Sequence, residues 1–215
     1  MHIYIMRHSK TVLNSKNLVQ GSSDSPLDEE GIRLAHEAGF KLKDLDFQMV
    51  YAGNLKRQIQ TAEIIISENS SDSKPEVIID RGFDEMHFGS LESNWTNTKM
   101  DTTAKANAEK YYGIPQGQHI PAKTLIKCME MTDPLHQMEP YEKVAERSLA
   151  AFNRVRNEAI KLGKDNVLIV TSGITIRVLT PLLDPSFDKP FVLGNCGMIL
   201  ANCGDDSINL ELYNY

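Results

Sequence analysis

The basic pair Arg7-His8 stands just beyond the apolar run Ile3-Tyr4-Ile5-Met6 and is followed by the small polar residues Ser9-Lys10-Thr11. An imidazole is a nucleophile or a proton carrier near neutral pH. A guanidinium beside it offers a rigid fork of donors suited to phosphate. In an open α/β sheet, ligands sit beyond the carboxyl ends of the strands, where this pair would lie. A plain structural account fits the same residues: Arg7 paired with a carboxylate, His8 satisfied in a core. Arg57 falls in the first turn of a predicted helix, where an anion is already favoured; alone it reads as a solvated surface residue. Glu85, in Phe83-Asp84-Glu85-Met86-His87-Phe88-Gly89, lies just past another strand and alone reads as a loop carboxylate in water.

These side chains need a scaffold, and the hydrophobic pattern supplies one. Ile3 to Met6 reads as a short buried strand, and Val12 to Ser25 as a long polar loop of the length that is usually functional or mobile. Pro26-Leu27-Asp28-Glu29-Glu30-Gly31 opens a helix whose first turn is acidic, with Ile32, Ala35, Gly39 and Leu42 along one face. Phe47 to Tyr51 is a second strand. Asn54 is placed to cap a helix over Leu55 to Ile66, with Leu55, Ile59, Ala62 and Ile66 inward. Glu76 to Ile79 is a third strand. Tyr141 to Leu162 is a long amphipathic helix with Val144, Leu149, Phe152, Val155 and Ile160 as core positions, stopped by Gly163. Asn166 to Val170 is the clearest buried strand. Thr171-Ser172-Gly173 turns from it into a helix that ends near Pro181, and strands at 197–202 and 208–212 close the chain. Strands alternating with helices predict an α/β three-layer α/β/α sandwich with a mostly parallel sheet. The expected organisation is a single domain over 1–215 with a cap inserted at about 93–140. That cap carries a helix over Thr103 to Tyr112, lysines at 99, 105, 110, 123 and 127 on a solvated face, and Met129, Met131 and Met138 as packing.

The 215-residue chain is 41% apolar and 24% charged with a net charge of −6, enough for a sizeable core and too acidic for broad binding of nucleic acid or anionic membranes. An anionic substrate in a locally basic pocket stays compatible with that balance. Cys128, Cys196 and Cys203 are odd in number and lack metal-site spacing, which reads as reduced thiols in a cytoplasmic protein. No signal peptide or membrane-spanning run is expected. The strand Ile208-Asn209-Leu210-Glu211-Leu212 could pair with a second copy as a homodimer, or stand as an ordinary sheet edge.

Taken together, the motifs resemble the histidine phosphatase superfamily, the phosphoglycerate mutase-like family. Arg7-His8-Ser9-Lys10-Thr11 is similar to its Arg-His-Gly-x-Thr signature. The likeness continues through Asn14, Gln20-Gly21, Asp24-Ser25-Pro26-Leu27 and Gly31, through Leu55 to Glu63, through Phe83 to Glu92, and through Val167 to Arg177. The stretch at about 93–140, where members of the family vary, lies outside it. The resemblance implies that His8 is the nucleophile that takes the phosphoryl group and that Arg7 and Arg57 hold its oxygens. It implies that Glu85 protonates the leaving oxygen and then activates water, and that Asn14, Gln20 and Gly21 line the entrance. No cofactor and no metal would be needed. Fixed cations aimed at the three equatorial oxygens would carry much of the catalysis.

Two departures stand out. Ser9 replaces the signature glycine, which is tolerable unless that position needs a positive φ. Ser172 stands where the family reads the histidine of Ser-His-Gly, so the phosphate pocket would hold Ser172 as a neutral, shorter binding group. Loss of a donor aimed at a transition state costs about 10²–10³ in rate; Lys10, His87 or His119 are the candidates to replace it. The expected function is hydrolysis of a small phosphorylated metabolite through a phosphohistidine, slowed by Ser172. The alternatives are a cofactor-dependent phosphoglycerate mutase and a catalytically weak phospho-ligand binding protein.

Overall fold

Ile3 and Ile5 point to one side of the first strand and Tyr4 and Met6 to the other, and all four are buried. A strand apolar on both faces must lie inside a sheet that is covered on both faces. The computed structural model describes residues 1–71, 73–191, 193–204 and 207–213. In it, β1 (His2–Arg7), β2 (Met49–Ala52), β3 (Val77–Ile79), β4 (Asn166–Thr171), β5 (Met198–Cys203) and β6 (Ile208–Tyr213) form one sheet of order β3-β2-β4-β1-β5-β6. β1, β2, β3 and β4 are parallel, and β5 runs antiparallel to both of its neighbours. The expected three-layer α/β architecture is therefore observed.

Among the described residues seven α-helices accompany the sheet: α1 (Val12–Ser15), α2 (Glu29–Lys41), α3 (Lys56–Ser67), α4 (Asn97–Tyr112), α5 (Ala122–Glu130), α6 (Tyr141–Leu162) and α7 (Gly173–Leu183). α6 and α7 pack Phe152, Val155, Ile176 and Leu179 against Ile3, Ile5 and Ile169. α2 and α3 pack Ala35, Leu42, Ala62 and Ile65 against Tyr4, Met6, Leu168 and Val170 on the opposite face. A third core joins α4 and α5 to Met86, Phe88, Leu91 and Val144, and Met129 and Met138 fill it, whereas Met131 is exposed. Lys123 and Lys127 meet Glu142, Lys105 meets Asp101, and Lys99 lies over the Trp95 ring.

Several local expectations change. The polar stretch after β1 is not all loop, because Thr11 and Asn14 make a reciprocal capping box that starts α1. Asn54 does not cap α3; the Gln58 carboxamide oxygen accepts the Leu55 N–H instead, at 3.3 Å. The cap helix starts six residues earlier than expected, at Asn97, because Thr96 accepts from the Lys99 N–H. α7 runs past Pro181 to Leu183, since a proline in the last turn removes only one hydrogen bond. Ile32 is 42% exposed. The inward face of α2 is set one residue earlier by Gly31, where any Cβ would overlap the Lys10 carbonyl. Ile160 is likewise exposed, because Ala159 takes the inward place in the last turn of α6.

Candidate active site

The β1–β4 register pairs Arg7 with Thr171, so the chain leaves both strands side by side at their carboxyl ends. His8 and Ser172 follow there, and Glu85 and Arg57 arrive from the loop after β3 and the start of α3. His8 is 4% exposed. Its Nδ1 lies 2.7 Å from the Ser9 carbonyl. A carbonyl only accepts, so Nδ1 carries the proton and Nε2 keeps its lone pair. Arg57 Nε donates to that lone pair at 3.2 Å.

Arg57 is not on the surface. It is wholly buried, and its terminal nitrogens donate to the carbonyls of Gly21 (2.7 Å) and Ser23 (3.0 Å). The loop that supplies those carbonyls is held by Glu92, whose carboxylate accepts from the backbone N–H groups of Ser22, Ser23 and Phe88. Burial pushes the Glu92 carboxyl up, but the Ser23 hydroxyl, followed by these N–H groups, holds it below its ordinary range. Gly21 is required here, since a Cβ would overlap the Met86 carbonyl and the Glu92 carboxylate. Arg7 donates to the Leu193 carbonyl at 2.8 Å and lies against Gly173. Neither guanidinium is paired with a carboxylate through a salt bridge among the described residues.

Glu85 is buried at 8% exposure rather than free in water. Its Oε1 accepts from Met86 N (2.8 Å), Thr175 N and Thr175 Oγ1 (both 3.1 Å), and its Oε2 from Ile174 N alone (3.1 Å). The amino end of α7 thus orients the carboxylate.

A cavity of about 320 Å³ opens onto Arg7, His8, Asn14, Gln20 and Glu85. Inside its wall Arg7 Nε and Gln20 Nε2 are buried donors with no partner among the described residues. Buried donors are almost always satisfied, so two of them on one concave wall fit an oxygen-rich anion. Arg57 does not line the cavity and reaches the site through its bond to His8 Nε2, and Gly21 acts through its carbonyl. Ser172 is fully buried, and its Oγ accepts from Gln58 Nε2 at 2.9 Å instead of facing the cavity. The three candidates to replace the missing histidine are elsewhere. Lys10 pairs with Glu30, His87 meets the Gln137 carbonyl, and His119 meets Asp188.

Sequence reasoning missed three residues. Asn97 and Arg177 line the cavity, and Arg177 also borders a neighbouring cleft under the cap. Arg177 had a readable signal, a lone charge in the apolar helix Ile174 to Leu179. Gln58 had none, because its importance comes from segments far apart in the chain. Ser9 does not adopt a positive φ and donates to the Gly31 carbonyl at 2.6 Å, which is why serine serves there.

Burial, then the charges of Arg57 and Arg7, hold the His8 pKa well below the usual imidazole range, with the Ser9 carbonyl acting in the other direction. His8 is thus neutral at pH 7. The unfolded chain takes up a proton at this residue near pH 6.5, before the folded chain does. The contribution of His8 to stability is therefore complete above about pH 6.5 and is lost as pH falls through the lower folded value. Tm measured from pH 7.5 to 5 is expected to fall more steeply for the unaltered protein than for His8→Asn; parallel curves would contradict this.

A neutral buried imidazole, two guanidinium groups and an oriented carboxylate stand together at the carboxyl ends of parallel strands, a set of groups chemically suited to a phosphoryl ligand. Known proteins place the chain in a family. Residues 3–215 match the histidine phosphatase superfamily (branch 1), and the chain belongs to that family. It is 45% identical over 89 residues to the fructose-2,6-bisphosphatase TIGAR B of Danio rerio, covering 41% of this chain and 35% of that protein. It is 30% identical over 153 residues to a probable phosphoglycerate mutase GpmB of Cronobacter sakazakii, covering 71% of this chain and 62% of that one. These matches span less than two thirds of either relative. A phosphoglycerate mutase structure from Bacillus anthracis superposes with a TM-score of 0.86 at 28% identity, covering 99% of this chain and 92% of that one. Among the described residues no group of His, Cys, Asp and Glu could hold a metal ion, and no helix is long and apolar enough to cross a membrane.

Proposed function

We propose that this chain is a phosphatase that hydrolyses a small phosphomonoester through a phosphohistidine. The observation that carries the reading is the His8 Nε2 lone pair, held neutral between two guanidinium groups with Glu85 on the same cavity. The phosphoryl oxygens meet Arg7 Nε and Gln20 Nε2, and the Arg57 N–H exchanges the His8 lone pair for a phosphoryl oxygen as Nε2 attacks phosphorus. The P–O ester bond breaks, and the leaving oxygen takes a proton from Glu85. The carboxylate left behind then takes a proton from water, whose oxygen attacks phosphorus and breaks the P–N bond. Inorganic phosphate departs, and Glu85 ends protonated as it began. Oε2, with a single hydrogen bond, is the oxygen free to carry that proton.

The second reading, a 2,3-bisphosphoglycerate-dependent phosphoglycerate mutase, draws support from similar proteins with that name. One of them, from Nautilia profundicola, is 30% identical over 201 residues, covering 87% of this chain and 86% of that protein. The third, a phospho-ligand binding protein without useful turnover, draws on Ser172. One assay separates the three. Phosphate release from p-nitrophenyl phosphate and a panel of phosphorylated metabolites is measured with a chelator present, alongside conversion of 3-phosphoglycerate primed with 2,3-bisphosphoglycerate. Steady release is the expected result. Conversion without release would establish the mutase, and binding with neither would establish the binding protein.

A further inference from the structure

Gln58 is wholly buried and immediately follows Arg57, yet it has no part in the chemistry just described. Its carboxamide is occupied on three sides. Nε2 donates to Ser172 Oγ and to the Phe83 carbonyl, both at 2.9 Å, and Oε1 accepts from Leu55 N at 3.3 Å. The Phe83 carbonyl also accepts from Thr171 Oγ1 at 2.6 Å.

Each partner belongs to a segment that presents a working group. Leu55 is the residue from which α3 starts, and Arg57 lies in the first turn of that helix. Phe83 stands two residues before Glu85. Ser172 is the residue from which α7 starts, and the N–H groups of Ile174 and Thr175 hold the Glu85 carboxylate. One side chain therefore ties together the three segments that set the distance between the His8–Arg57 pair and Glu85. It does so from the place directly in front of residue 172. Gln58 and Ser172 also fit each other closely. Both are fully buried, and the serine hydroxyl is met at hydrogen-bond distance by a carboxamide that is itself fixed by two further bonds. An imidazole at residue 172 would need the room that this carboxamide fills, and packed interiors have little to spare.

We infer that Gln58 is a positioning residue for the phosphatase site and forms an interdependent pair with Ser172, so that a histidine at position 172 can act only when residue 58 is made small. The pair accounts for how the site does without the second histidine. The chain substitutes a neutral brace for a charged donor, and the brace and the donor exclude each other sterically. The inference rests on the phosphatase reading for its kinetic consequences and on packing alone for its effect on stability.

The test is a double-mutant cycle with Gln58→Ala, Ser172→His and the double variant, each compared with the unaltered chain for kcat and KM on p-nitrophenyl phosphate and for Tm. Gln58→Ala is expected to lower kcat by roughly ten- to a hundred-fold with KM little changed, as loosened geometry does. The kcat is taken per active site, counted by the phosphohistidine trapped in a burst, so a merely structural role would lower Tm and the active fraction and leave kcat per active site unchanged. Ser172→His alone is expected to give a kcat no higher than that of the unaltered chain, with a lower Tm. The double variant is expected to exceed Ser172→His in kcat by about 10² and to have a Tm above the sum of the two single changes. Ser172→His matching the double variant in kcat, with additive Tm shifts, would overturn the pairing. If none of the four proteins turns over substrate, the phosphatase reading has failed, and the Tm cycle alone decides the pair: non-additive shifts support it and additive shifts overturn it.

Discussion

His8→Ala is expected to lower phosphate release from p-nitrophenyl phosphate by at least about 10³-fold, because it removes the atom that attacks. The expectation is sharper than a simple loss. A phosphomonoester labelled in its phosphoryl group and quenched during turnover should leave label on the unaltered chain and none on His8→Ala. The reasoning starts from the tautomer. The Ser9 carbonyl fixes the proton on Nδ1, so Nε2 is the one nitrogen able to form the phosphorus–nitrogen bond. Residual catalysis of the variant measures what the cations and the cavity achieve without a nucleophile. Undiminished hydrolysis would show that water attacks directly and that His8 only shapes the pocket.

Glu85→Gln is expected to act according to the leaving group. With an alkyl phosphate, whose departing alkoxide needs a proton, kcat should fall by about 10²–10⁴. With p-nitrophenyl phosphate, whose phenolate leaves unaided, formation of the phosphohistidine should be much less affected, and the deficit should move to its hydrolysis. Single-turnover label trapping reads this as phosphohistidine that accumulates in the variant. The glutamine is nearly isosteric, and with its carboxamide oxygen in the place of Oε1 it still accepts from Met86 and Thr175, so only the bond from the Ile174 N–H is lost. Equal losses with both leaving groups, and no accumulation, would assign Glu85 a purely structural role.

Much of this arrangement was legible in the sequence, because a buried parallel strand leaves a plain apolar run and because chemistry in such sheets gathers at the strand ends. Ile3 to Met6 and Asn166 to Val170 located His8 and Ser172 to within a residue. The fate of individual side chains was less legible. Arg57 and Glu85 look exposed when judged by local composition, and their burial depends on carbonyls and N–H groups donated by distant segments, Gly21 and Ser23 in one case and α7 in the other. Ile32 and Ile160 were misplaced for a related reason. A helix has a fixed period, but its phase is set by its tightest contact, which for α2 is the backbone of Lys10 against Gly31. The start of the cap helix was missed because Thr96 marks it with a single hydroxyl amid polar sequence.

The amino end of α7 touches both poles of the site: Arg7 lies against Gly173, and Glu85 hangs from Ile174 and Thr175. The helix therefore works as a gauge block, with the phosphoryl-binding pole and the proton-donating pole both measured from one rigid edge. The core that holds α4 and α5 packs on this same edge: it takes in Val178 and Ile174 of α7 and Met86 beside Glu85, and α4 reaches the cavity with Asn97 and Met100. A change in that packing would therefore be carried to the span from nitrogen to carboxylate through the edge from which it is measured.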